Sequence, residues 1–119
     1  MNHKDLDVWQ KSMDFVVELY RITNQFPKEE KFGLVDQLRR AGVSISSNIA
    51  EGSARGSDKE FIRFLYFALG SASEVETQII LSHRLGFISN QIEDDLLKKN
   101  GNIKKMLIGL IKYIKGKSE

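Results

Sequence analysis

Apolar residues recur at every third or fourth position through four long segments of this chain, and this spacing restricts the fold more than any other feature. Such spacing places apolar side chains on one face of an α-helix, whereas a half-buried β-strand needs alternation with a period of two. No segment alternates in that way, and no hairpin signal separates runs of β-branched residues. The sequence therefore predicts an all-α protein.

Turn and capping signals divide the pattern into four predicted helices. Pro27 separates the first two, because proline fits the first turn of a helix and not its interior. Ser57 and Asn90 are each followed three positions later by glutamate, the spacing of a capping box that begins a helix. Gly86 is placed to end the third helix. The predicted helices cover about residues 5–26, 28–54, 58–85 and 90–115.

The 119 residues fit one domain, 1–119, which is large enough to bury a core of its own. The segment Asn100-Gly101-Asn102 weakens the fourth helix, but the apolar phase is the same on both sides, so we expect the helix to continue through it. Four long helices joined by short turns predict an antiparallel up-and-down four-helix bundle, with helix crossings of about 20°.

Composition excludes several classes of protein. The chain has no cysteine, which rules out a disulfide framework and a thiolate metal site and suits a reducing compartment. The N-terminal residues carry charges where a signal peptide needs an apolar run, and no stretch approaches the roughly 18 apolar residues of a membrane span. We therefore expect a cytoplasmic protein with no membrane partner.

The segment LRRAGVSISSNIAEGSARG, residues 38–56, carries two faces in addition to its core-facing apolar stripe. One face consists of small residues, where long charged side chains are usual on an exposed surface. Because small side chains let two helices approach closely, we expect this face to form the interface of a homo-oligomer. Its members are Val43, Ser46, Ala50 and Ala54.

The other face is a polar ladder with two open interpretations. It forms either a network inside one bundle, including an arginine–glutamate pair, or part of the contact with a neighbouring subunit. Glu76 of the third helix joins this structural network in our interpretation, because we expect it to pair with Arg39 or Arg40. The ladder consists of Arg40, Ser44, Asn48 and Glu51.

Residues able to support catalysis or metal binding are sparse. Glu76 and His83 share one face of the third helix, but di-iron bundles use a Glu-x-x-His motif from each of two helices, and the sequence has none. Glu51 has no histidine or nucleophile at helical spacing. Turn chemistry, rather than phosphate binding, accounts for Gly52 and Gly56. We expect no metal, no cofactor and no enzymatic activity, and we identify no small-molecule substrate.

Lysines are the best candidates for a binding function. Lys98, Lys105 and Lys112 recur every seven residues, opposite the apolar stripe of the fourth helix. A single chain with a net charge of +2 attracts a phosphate backbone only weakly. An oligomer repeats this lysine stripe in every subunit and so presents several cations at once. No aromatic-interleaved surface and no helix-turn-helix pattern is expected beside these cations, so sequence-specific reading of bases is not expected. A second basic patch is predicted from Arg55, Lys59 and Arg63.

Three long segments resemble the four helix bundle protein family, first known as proteins encoded in intervening sequences of large-subunit ribosomal RNA genes. The segments are FPKEEKFGLVDQLRR, VSISSNIAEGSARGSDKEFIRFLYFALGSASEVETQIILSHRLG and MLIGLIKYIK, with SNIAEG, QLRR and KEFIRFL the most specific parts. The resemblance implies an up-and-down bundle that assembles as a ring-like homopentamer. It extends to the accessory variability protein of diversity-generating retroelements, a basic pentamer that works with a reverse transcriptase and nucleic acid.

Two departures from the family pattern stand out. Ser46 occupies a position where the family usually has proline, and the Asn100-Gly101-Asn102 break has no counterpart. We expect a non-enzymatic homo-oligomer, pentameric by resemblance, that contacts RNA, DNA or a ribonucleoprotein through its basic surface without sequence preference. The alternative is a protein-interaction scaffold with no nucleic-acid role, in which exposed Phe67, Leu81 or Leu85 docks a partner.

Overall fold

Four α-helices form the protein, and a computed structural model describes residues 2–118 of it. Consecutive helices pack against each other, and the fourth closes against the first, which confirms the antiparallel up-and-down bundle. No strand occurs within residues 2–118. The helices are α1 (Asp7–Thr23), α2 (Leu34–Ala54), α3 (Asp58–Arg84) and α4 (Asn90–Ser118).

The helix boundaries follow local backbone chemistry, and the start of the second helix was predicted wrongly. α2 begins at Leu34 instead of residue 28, because Gly33 adopts a non-helical backbone conformation with φ −107° and ψ −111°. Only a short 3-10 turn, Lys28–Glu30, occupies the region expected to open that helix. α1 is also shorter than predicted, since Leu6 is extended and separates it from a 3-10 turn at His3–Asp5.

Two of the three predicted terminal signals are confirmed. Ser57 Oγ accepts a hydrogen bond from the Glu60 amide at 3.2 Å and so begins α3. Gly86 follows the end of α3 with φ +83°, a conformation that glycine adopts without strain. Asn90, in contrast, is already helical, and the capping side chain is that of Ser89, whose Oγ accepts from the Ile92 amide at 3.1 Å.

α4 continues through its predicted weak point, as expected. Asn100 is fully buried there, and its Nδ2 donates to the Ala72 carbonyl of α3 at 2.9 Å. Since a buried amide needs a partner, this bond ties α4 to α3 at one position along their contact. The surrounding core is a single apolar cluster, in which the most deeply buried side chains include Leu19, Leu38, Ile45, Ile49, Leu65, Ile79, Leu107 and Ile114.

Two glycines of α2 allow its neighbours to approach closely. A Cβ atom on Gly42 would lie 2.8 Å from Leu19 Cδ1 of α1. A Cβ atom on Gly52 would lie 2.7 Å from the Phe64 Cβ of α3 and 3.3 Å from the Phe61 carbonyl oxygen. A side chain at Gly52 would push α2 and α3 apart, because it meets a Cβ atom and a backbone oxygen, whereas at Gly42 the nearest atom is the end of the Leu19 side chain.

α1 and α4 make the loosest of the contacts between neighbouring helices, and a three-residue ion cluster bridges them. Lys99 Nζ of α4 lies 2.6 Å from Glu18 Oε2 of α1 and 3.0 Å from Asp95 Oδ2. The hydrogen bond from Lys99 lowers the pKa of Asp95 below its ordinary value. Hydrogen bonds to Glu18 and then Asp95 raise the pKa of Lys99.

Replacing Gly52 with alanine should destabilise the bundle, because the added methyl group meets the Phe64 Cβ and the backbone of Phe61. We expect the free energy of unfolding to fall by about 1–3 kcal/mol. Gly70→Ala is the matched control, since nothing lies within 4 Å of a Cβ at that exposed position of α3. It should raise stability by about 0.5–1 kcal/mol, as removal of a helical glycine does. Urea denaturation measures both, and equal effects would contradict the close approach.

Replacing Asp95 with asparagine should weaken the α1–α4 bridge in a pH-dependent way. Because folding lowers the pKa of Asp95, its carboxylate stabilises the folded state above pH 3.8, the ordinary pKa. This stabilisation is lost as the pH falls through the lower pKa of the folded state. We expect a loss of about 0.5 kcal/mol or less at pH 7, since the pair is half exposed, and no difference from wild type at strongly acidic pH. Denaturation at several pH values checks this, with Asp94→Asn as the charge-matched control. A difference that persists below that window would argue against the ion pair.

Candidate functional site

The predicted lysine stripe occupies the outer face of α4. Lys98, Lys105 and Lys112 are all exposed, and the buried residues Ile103 and Leu107 lie on the opposite side of the helix. Among the salt bridges within residues 2–118, none includes any of the three lysines. Their ammonium groups therefore remain available to an anionic ligand.

The second predicted patch lies at the turn between α2 and α3, and it is partly neutralised. Arg55 Nη2 lies 2.8 Å from Glu51 Oε1, and Arg63 Nη1 lies 3.4 Å from Glu60 Oε2. Lys59 is exposed and takes no part in the salt bridges of the described chain. This patch thus carries less uncompensated charge than its sequence indicates.

Aromatic side chains do accompany this patch, so the expectation that none would was wrong. Tyr66 is 50% exposed and Phe67 is 45% exposed, although both belong to a helix whose other phenylalanines are buried. The Arg63 guanidinium lies 5.3 Å from the Phe67 ring centroid. The sequence FIRFLYF carried the signal, because positions 66 and 67 fall outside the core stripe formed by Phe61, Phe64 and Leu65.

The two basic regions are joined across the α3–α4 contact. Lys115 Nζ of α4 lies 3.1 Å from the Tyr66 hydroxyl oxygen and 5.4 Å from the centre of its ring. Lys112 precedes Lys115 by three positions, less than one helical turn. We call the surface that contains Lys59, Arg63, Lys98, Lys105, Lys112 and Lys115 the basic face.

The small-residue face of α2 is exposed only in part, and Ser46 does not belong to it. Val43 and Ala54 are exposed and Ala50 is half-buried. Ser46 is buried, and its Oγ lies 2.8 Å from Ser12 Oγ of α1. The prediction placed Ser46 outside because helical spacing alone does not say on which flank of α2 the neighbouring helix packs.

Exposed apolar residues of α1 continue the surface that begins at Val43. Met13, Val17 and Tyr20 are spaced three to four apart on the outer side of α1. The antiparallel register set by the Ser12–Ser46 bond and by Arg39, which lies 4.3 Å over the Tyr20 ring, brings them beside α2. The sequence showed these α1 residues as apolar positions, but not that they would stay uncovered. We call Met13, Val17, Tyr20, Val43, Ala50 and Ala54 the α1/α2 face.

The polar ladder forms bonds within one chain, with partners that differ from those predicted. Asn48 Nδ2 donates to the Ser44 carbonyl at 2.8 Å, and Ser71 Oγ of α3 donates to Ser44 Oγ at 2.9 Å. Glu51 pairs with Arg55 rather than with a ladder arginine. Arg40 pairs with Asp36 on the surface, at 2.9 Å.

Glu76 was also assigned the wrong partner. It lies 3.8 Å from Lys104 Nζ of α4, whereas Arg39 faces α1 and donates to Thr23 Oγ1 at 3.0 Å. The reason is the packing order, since Glu76 projects from the flank of α3 that meets α4 and not α2. His83 Nδ1 lies 3.5 Å from Glu93 Oε1.

Metal binding and membrane crossing each require a particular arrangement of residues. Across residues 2–118, no group of three or more histidine, cysteine, aspartate or glutamate residues is arranged to hold a metal ion. In the same range, no helix combines the length and the apolar character needed to cross a membrane.

Comparison with known proteins places this geometry in a family. A comparison with curated proteins gave no significant match. Among solved structures, the chain is similar to a protein with unknown function from the S23 ribosomal protein family of Bacteroides thetaiotaomicron. The two are 32% identical with a TM-score of 0.82, over 88% of this chain and 95% of the other. A family model described as 23S rRNA-intervening sequence protein matches residues 4–109, and the chain therefore belongs to that family.

Proposed function

We propose that the protein is a homo-oligomeric bundle that binds nucleic acid or a ribonucleoprotein through its basic face, without sequence preference. The observation that carries this proposal is the row of three exposed, unpaired lysines on α4. Two heptads separate Lys98 from Lys112, a distance of about 21 Å along the helix axis. Cations at such intervals suit a ligand with regularly repeated negative charge, because several phosphates are contacted at once.

Self-association supports this function by multiplying the stripe. The α1/α2 face offers a surface for it, since Met13, Val17, Tyr20 and Val43 expose apolar side chains, with the Arg39 guanidinium 4.3 Å over the Tyr20 ring. Alanines at positions 50 and 54 would let a second helix approach closely. We propose a pentamer on the basis of the family resemblance, and each subunit would contribute its own lysine stripe.

Binding, rather than catalysis, is the activity we propose. Glu51, the lone carboxylate of the polar ladder, is held by Arg55 at 2.8 Å, and one ion-paired carboxylate does not supply an acid–base pair. The cytoplasm is the compartment we propose, because a chain without cysteine suits a reducing environment.

The second candidate function is a protein-interaction scaffold. One observation favours it: Phe67 and Leu81 of α3 and Leu85, directly after that helix, are all exposed. They fall on the same side of the helix by their spacing, and such a stripe is suited to an apolar partner surface. A salt titration separates the two functions, because counterion release makes nucleic-acid binding fall steeply with salt, whereas apolar docking does not.

Reversal of Lys98, Lys105 and Lys112 to glutamate should abolish nucleic-acid binding and leave the fold unchanged. The three side chains are exposed and lie opposite the core, so helicity and assembly should persist. Binding to a fluorescent double-stranded oligonucleotide at increasing salt measures the effect. We expect wild-type affinity to fall steeply with salt and the variant to show no binding at low salt.

The control for this experiment is Lys4, Lys28 and Lys31 reversed to glutamate, which changes net charge by the same amount on another part of the surface. It should retain most of the affinity. Equal losses in both variants would assign binding to overall charge, and unchanged binding in the α4 variant would remove the stripe from the proposal.

Ala50→Lys should split the oligomer while each bundle keeps its core. The substitution adds length and charge to a half-buried position of the α1/α2 face. Light scattering checks the mass, with Ser73→Lys on the exposed side of α3 as the control that should leave assembly intact. A wild-type mass of 13.6 kDa, that of one chain, would overturn self-association. An Ala50→Lys protein that keeps the wild-type mass would place the interface elsewhere.

A further inference from the structure

Cations and aromatic rings form a connected row from the end of α2 into the first turns of α3. The Arg55 guanidinium lies 4.7 Å from the Phe64 ring centroid, and the Phe64 and Phe67 rings meet edge to face at 5.4 Å. Arg63 follows, 5.3 Å from the Phe67 ring. Cation–π contacts of this kind place each guanidinium beside a ring. Each guanidinium also binds a neighbouring carboxylate through one nitrogen, so only its remaining donors can contact a ligand.

The outer part of this row is open to solvent and forms a depression. Tyr66 and Phe67, with Lys59, Glu60, Ile62 and Arg63, line a shallow depression of about 590 Å³ on the surface of α3. Pairing with cations does not cover the two rings, since each remains about half exposed. Adjacent exposed aromatic rings on a helix that buries its other phenylalanines indicate a contact surface rather than core packing.

We propose that this surface, which we call the stacking patch, binds unpaired bases of single-stranded nucleic acid. The patch consists of Tyr66 and Phe67, on which bases stack, and of Lys59, Arg63 and Lys115, which contact phosphates. This inference rests on the proposed function and specifies the strand state of its ligand. It differs from the lysine stripe, which offers charge alone and therefore suits duplex and single strand equally.

The chemistry of the patch distinguishes single strands from duplexes. A duplex presents base edges in its grooves and keeps base faces inside the stack, so an exposed ring has no base face to contact. A single strand can turn its bases outward onto aromatic side chains or arginine planes while its backbone follows nearby cations. Because every base has a π-face, such contacts are tolerant of sequence, in agreement with a site that does not read bases.

Charge favours a nucleic acid over a protein partner at this position. Arg63 Nη1 lies 3.4 Å from the Glu60 carboxylate, whereas Lys59 forms no salt bridge within residues 2–118. Lys115 donates a hydrogen bond to the neutral Tyr66 hydroxyl and lies 5.4 Å from the centre of its ring. An apolar protein partner would have to cover these cations without neutralising them. A polyanion with flat, apolar bases satisfies both the charge and the rings.

The test compares a 12-nucleotide oligothymidylate with its duplex, by fluorescence anisotropy at fixed salt. Tyr66→Ala with Phe67→Ala should weaken binding of the single strand by about tenfold or more and leave duplex affinity unchanged. The slope of affinity against salt should also stay unchanged, because no cation is removed. Tyr66→Trp should retain single-strand binding, and its added fluorescence should be quenched by the oligothymidylate.

Tyr113→Ala is the matched control, since Tyr113 is a more exposed tyrosine on α4 outside the stacking patch. It should leave both affinities unchanged. Equal losses of single-strand and duplex binding in the Tyr66→Ala/Phe67→Ala variant, or no loss of either, would overturn the stacking patch while the lysine stripe still accounts for binding. If wild type binds neither oligonucleotide at low salt, the proposed function itself fails, and the rings would then serve a protein partner.

Discussion

The bundle depends on how closely α2 approaches its two neighbours. Gly42 gives space to Leu19 of α1, and Gly52 gives space to Phe61 and Phe64 of α3. Because interiors are packed to the density of organic crystals, these contacts limit the side chains that fit on the flanks of α2. The Ser12–Ser46 bond on one flank and the Ser44–Ser71 bond on the other are both made at this short separation.

The short distance between α2 and α3 also explains where the aromatic rings of α3 lie. Gly52 receives Phe61 and Phe64, so the rings at positions 66 and 67 are left on the outer side of the helix. Arg55, at the end of α2, then reaches the Phe64 ring from the turn between the two helices. A packing constraint in the core thus produces the row of cations and rings that begins at the turn between α2 and α3.

Charge is distributed unequally around the bundle. The α1/α2 face is apolar, whereas α3 and α4 carry the basic face, and the order of the helices places these two faces on opposite sides. An assembly that buries the α1/α2 face would leave the basic face open to a ligand. Several other charges are paired within the bundle: Glu18 with Lys99, Asp36 with Arg40, and Glu76 with Lys104.

The sequence by itself determined the helical class, the number of helices, the capping role of Ser57 and the terminating role of Gly86, because these depend on periodicity and on backbone chemistry within a few residues. It also indicated that Lys98, Lys105 and Lys112 lie opposite a core stripe. Only the tertiary structure decided the flank on which Ser46 lies, the partner of Glu76 and the contact of Lys115 with the Tyr66 ring. Those properties depend on which helix packs on which side. Contacts between residues far apart in the chain set that arrangement, and helical spacing within one segment does not encode such contacts.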